Sequence, residues 1–166
     1  ARLVDDYRAV LFAAGYWQSR LEFCEQIIGY AREQGQDHIE AQAARLLAWV
    51  YCFRDEYSES EHWAKEALKL VANDIRTKEP PRSRPEIAIL KQQSYYKALI
   101  LLGQIELRKG RSAAIAGQTI LREIAELHKT GDHDTYLRER EARASFRSAR
   151  HYFEQARQHF DGARGY

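Results

Sequence analysis

Residues 41–72, AQAARLLAWVYCFRDEYSESEHWAKEALKLVA, constrain this chain more than any other stretch. They read as two short amphipathic helices joined by a polar turn. Ala44, Ala48, Ala64 and Ala67 stand where two helices have to approach closely. Leu47, Trp49, Tyr51, Trp63 and Leu68 are large enough to fill the space around them.

The rest of the chain has the same character. Three prolines and nine glycines in 166 residues leave helix favoured almost everywhere. An apolar content of 45% and a charged content of 30% suit one globular domain rather than a disordered chain. Apolar spacing predicts a first helix over residues 2–13, carrying Leu3, Tyr7, Val10 and Leu11. Gly15 makes a turn, and Trp17 opens a second helix to about Glu33, with Leu21, Cys24, Ile27, Ile28 and Ala31 on one face. Gly35 stops that helix, and Asp37 is the expected N-cap of the next.

Pro80, Pro81 and Pro85 predict a surface loop over residues 74–86. Residues 87–129 then divide into two helices at Gly110, the first carrying Tyr95, Tyr96, Ala98, Leu99 and the Leu102-Gly103 pair. A last helix over 134–160 shows Ala142, Phe146, Ala149, Phe153, Ala156 and Phe160, stepping by four and three.

The 41–72 stretch resembles one tetratricopeptide repeat, in Leu47-Ala48, Tyr51, Tyr57, Ser60 and Ala67. It departs from that family in having Ala64 where an aromatic is usual, with Trp63 beside it. Trp17 and Tyr57 hold matching places 40 residues apart, a longer period than the family's roughly 34. The resemblance implies an all-α fold of about seven helices, antiparallel hairpins stacked as a right-handed superhelix over residues 1–166. Repeat one is residues 1–34, repeat two 38–73 and repeat three 87–129, with the terminal helix as a cap or half of a further repeat. The pattern looks most like the arrays of STAND-type ATPases and related bacterial regulators. The chain starts without Met, so a piece of such a longer protein is expected.

In that family the first helices line a concave groove. The matching positions place Phe12, Arg45, Trp49, Phe53, Leu101, Gln104 and Arg108 there, aromatic at the middle with Arg at the edges. Such a composition suits a peptide anchor site. Asp5 and Ala9 stand where carboxylate-clamp members need Lys and Asn, so capture of a C-terminal carboxylate is not implied. Trp49 and Phe53 read equally well as core residues under a neighbouring helix.

No catalytic set stands out: there is no P-loop, GxGxxG, HExxH or Gly-x-Ser-x-Gly. Asp132-His133-Asp134, with His128 one turn earlier, is a tight cluster that reads better as a helix start than as a metal site. No cofactor is expected. Cys24 and Cys52 fall on apolar faces as buried free thiols, which fits a reducing cytoplasm.

Arg140, Arg143, Arg147, Arg150 and Arg157 form one stripe, about 100° round from the Phe stripe. The stripe could take an anionic partner, though Glu139, Glu141 and Glu154 interrupt it and favour a solvated face with local ion pairs. No apolar run approaches a membrane span, and a net charge of +2 makes no case for nucleic acid. The expected function is a non-catalytic protein- or peptide-binding scaffold, its partner a protein, a peptide or another domain of the parent chain. A small-molecule-sensing domain of a transcriptional regulator and a nucleic-acid binder using the arginine stripe are the alternatives.

Overall fold

In a computed structural model of the chain, the described residues are 16–76, 85–129 and 135–164. Among them the fold is all-α, with five helices: α1 (Trp17–Glu33), α2 (Asp37–Phe53), α3 (Tyr57–Arg76), α4 (Pro85–Lys129) and α5 (Tyr136–Arg164). No described helix is long and apolar enough to cross a membrane. The expected helix over residues 2–13 and residues 77–84 of the expected loop lie outside the described residues, whereas 74–76 end α3 and 85–86 open α4, because a proline is tolerated in the first turn of a helix. The chain divides into two compact units, residues 1–101 and 102–166.

In the first unit, α1 packs on α2 and α2 on α3. Both connections are three-residue turns with the same hydrogen bonding. Gly35 adopts φ +61° after α1, and Gln36 N–H donates to Ala31 C=O at 2.8 Å. Asp55 adopts φ +59° after α2, and Glu56 N–H donates to Tyr51 C=O at 3.0 Å. Each closes orphan carbonyls at a helix end through one left-handed residue. Asp tolerates that conformation better than most side chains, and its Oδ1 also accepts from Tyr57 Oη at 2.6 Å. Asp37 is the first residue of α2 rather than its cap: Gln36 holds the cap position, with no side-chain cap hydrogen bond. A carboxylate in the first turn still opposes the positive end of the helix.

The small-residue seam forms as expected between α2 and α3. Ala44, Ala48, Ala64 and Ala67 are all buried, and the buried Ser60 hydroxyl donates to Ala48 C=O at 2.6 Å. Leu47, Val50, Leu21, Ile28 and, from α4, Ala98 complete the core of this unit.

Residues 87–129 depart from the expectation. They do not turn at Gly110: α4 is one uninterrupted helix of 45 residues, so five helices stand among the described residues where six of the expected seven fall, the other being the helix over residues 2–13. The residues around Gly110 are Lys109, Arg111, Ser112 and Ala113, all compatible with helix, and one glycine costs only about 1 kcal/mol there.

Gly110 has a packing role instead. In the second unit, residues 102–129 of α4 pair with α5, and three glycines spaced by seven receive three phenylalanines spaced by seven. A Cβ on Gly103, Gly110 or Gly117 would come within 2.6, 2.5 or 3.0 Å of the rings of Phe160, Phe153 and Phe146 respectively. Ala142, Ala149 and Ala156 are buried in the same seam. This is an antiparallel heptad hairpin, with large rings of one helix over the bare backbone of the other. Glu106 is buried within it, accepting from Lys109 Nζ at 3.0 Å, and that ammonium lies 5.7 Å from the centre of the Tyr152 ring.

Candidate functional site

Arg45, Trp49 and Phe53 are spaced by four on α2, which brings them to one side of that helix. Helix α1 meets them with Trp17 and Arg20. The Trp17 and Phe53 rings stack at 6.0 Å and 13°, and the Trp49 and Phe53 rings lie tilted at 4.2 Å and 57°. The buried Arg20 guanidinium sits 5.0 Å from the Trp49 ring centre, a cation–π geometry. Three rings and one guanidinium therefore form one contiguous cluster across α1 and α2.

Trp49 is half-buried and packs against the core, whereas Phe53 is 36% exposed at the end of α2. Trp49 is thus partly covered by its neighbours, while Phe53 keeps more of its ring open. Trp17 and Arg20 were not among the expected groove residues. Their spacing of three is a signal that both share a face, but nothing local indicates which α2 residues that face meets.

The remaining groove positions scatter. Phe12 lies outside the described residues. Leu101 is buried, at 3% exposure, and offers no surface. Gln104 and Arg108 belong to the second unit, the first exposed and the second half-buried. The Asp132–Asp134 cluster also lies outside the described residues, and its neighbour His128 has Nε2 3.2 Å from Thr135 Oγ1.

Cys24 lies under this cluster, almost fully buried. Burial pushes its thiol up to about 11 from 9.0, with the Arg20 charge opposing, Glu25 adding and Arg45 opposing. The neutral thiol is the form the fold favours, so its contribution to stability is intact below pH 9 and is lost as the pH rises from 9 towards 11. A two-unit difference corresponds to about 2–3 kcal/mol. Urea midpoints measured across that range should fall in the native chain and fall less in Cys24→Ala. Identical pH profiles would show that the thiol is not the titrating group.

On α5 the arginines divide into two sets. Arg143 pairs with Glu139 at 3.5 Å, Arg150 with Glu154 at 2.9 Å and Arg157 with Asp161 at 3.5 Å, all one turn apart and exposed. The first two use interrupting carboxylates named from the sequence and the third uses Asp161, and exposed pairs of this kind contribute little to stability. Arg140 and Arg147 make no ion pair among the described residues. Arg140, Arg143, Arg147 and Arg150 line one shallow depression together with Tyr136, Glu139 and Phe146. The arginine stripe and the Phe stripe therefore border the same surface rather than standing apart.

Against known protein families, curated proteins and solved structures, the chain has no match.

Proposed function

We propose that the chain is a non-catalytic protein- or peptide-binding scaffold built on tetratricopeptide-like hairpins, serving a larger signalling or regulatory protein such as a STAND-type ATPase. The observation that carries this reading is the preorganised aromatic cluster of Trp17, Trp49 and Phe53 at the α1–α2 surface. Rings that already contact one another have fewer rotamers to lose on binding, which favours an anchor site. The hairpin with the Ala48–Ser60 contact supports the repeat resemblance, because there the small residues meet as that pattern demands.

The test is a displayed-peptide selection on the whole chain, with each selected peptide remeasured on Phe53→Ala and Arg45→Ala. Binding should weaken about tenfold or more, the loss expected at an anchor position, while the melting temperature changes little. Peptides that bind both variants as they bind the native chain would remove the site. A selection that yields no binder would remove the function.

A further inference from the structure

We infer that the arginine-bordered side of the α4–α5 hairpin is a second docking groove, whose occupant is an acidic amphipathic helix. It lies in the other unit from the aromatic cluster and does not depend on that site.

The floor of the groove is apolar. Phe146 and Phe153 remain 37% and 39% exposed although their rings reach over Gly117 and Gly110, and Leu121 of α4 is 47% exposed. Leu121, Ile124, Ala142 and Phe146 line one depression beside the Glu139–Arg143 pair, and Leu107, Phe153, Ala156 and Phe160 line another beside Arg157, Asp161 and Arg164 along the same seam. The exposed rings recur every seven residues, the repeat at which a further helix can keep its own apolar residues against a helical pair. An amphipathic helix in a groove is a common way to cover such a face.

The charge of the border identifies the occupant's chemistry. Helix α5 carries seven arginines against four acidic residues, a net +3 in a chain whose total is only +2. Arg140 and Arg147 are one heptad apart and lack an ion pair among the described residues, yet they line the depression that holds Phe146. Glutamates flanking the apolar stripe of a docked helix would complete them. A second copy of this chain would instead set arginines against arginines, which opposes self-association. A nucleic-acid backbone would satisfy the arginines but leave the apolar floor uncovered.

The test uses the full chain and a fluorescently labelled synthetic helix of about three heptads, with Leu at a and d and Glu at e and g. A second peptide carries Lys in place of every Glu. The Glu peptide should bind, more weakly as salt is added. Arg140→Glu with Arg147→Glu, and separately Leu121→Ser, should each lower its affinity about tenfold or more. Circular dichroism should show the variants as helical as the native chain. Phe53→Ala should bind the Glu peptide normally, which separates this groove from the aromatic cluster.

No binding of the Glu peptide would overturn the proposal, as would equal binding of the Lys peptide or unchanged affinity in the variants. Displacement by a single-stranded oligonucleotide at lower concentration than unlabelled Glu peptide would reassign the surface to nucleic acid. Self-association abolished by Leu121→Ser would reassign it to a second copy.

Discussion

Replacing Leu47 by Ala is expected to lower the unfolding free energy of the first unit by about 2–5 kcal/mol. Leu47 is fully buried at 0% exposure, in contact with a core drawn from α1, α2, α3 and α4. With no solvent exposure the site leaves a closed cavity, and the cost within that range depends on how far its surroundings relax. Trp49→Ala removes a larger side chain, yet from a half-buried place, so roughly half of the 3–5 kcal/mol typical of a packed Trp is expected. Urea denaturation followed by far-UV circular dichroism orders the two. If Trp49→Ala costs as much as Leu47→Ala, Trp49 is a core residue and the anchor role under the proposed function falls to Phe53 alone.

Gly110→Leu is expected to destabilise the α4–α5 hairpin, for a reason opposite to a cavity. Even a Cβ there would lie 2.5 Å from the Phe153 ring, and an isobutyl group has nowhere to go without driving that ring outward. Overpacking costs about 1–3 kcal/mol, while leucine regains about 0.8 kcal/mol of helix propensity over glycine, so the loss prevails. Gly110→Leu combined with Phe153→Ala exchanges large for small across the seam. The double variant should be more stable than the sum of the two single losses predicts, with a coupling of about 0.5–3 kcal/mol. Strict additivity would mean that Gly110 and Phe153 are not packed on each other. The same exchange at Gly117 and Phe146 provides an independent repeat, because that Cβ would meet its ring at 3.0 Å.

Local patterns were enough to establish the all-α class, the stop at Gly35, the α2–α3 hairpin and the closeness of Ala48 to its partner helix. Helix propensity, apolar period and a left-handed glycine act within a turn or two of chain, so a sequence states them directly. The arginine stripe was legible for the same reason, since its spacing alone sets one helical face. Gly110 was not legible. A glycine in a helix-compatible stretch serves a turn or a close contact equally well, and Phe153, 43 residues later, selects the contact. The heptad recurrence of Gly103, Gly110 and Gly117 against Phe146, Phe153 and Phe160 was the available sign, and it acquires meaning only when the two helices are paired. Trp49 is the same case: its spacing from Arg45 and Phe53 assigns a side of α2, but its burial depends on Trp17 and Arg20 arriving from α1. Exposure is a property of what packs across from a residue, and that is what only the tertiary structure decided.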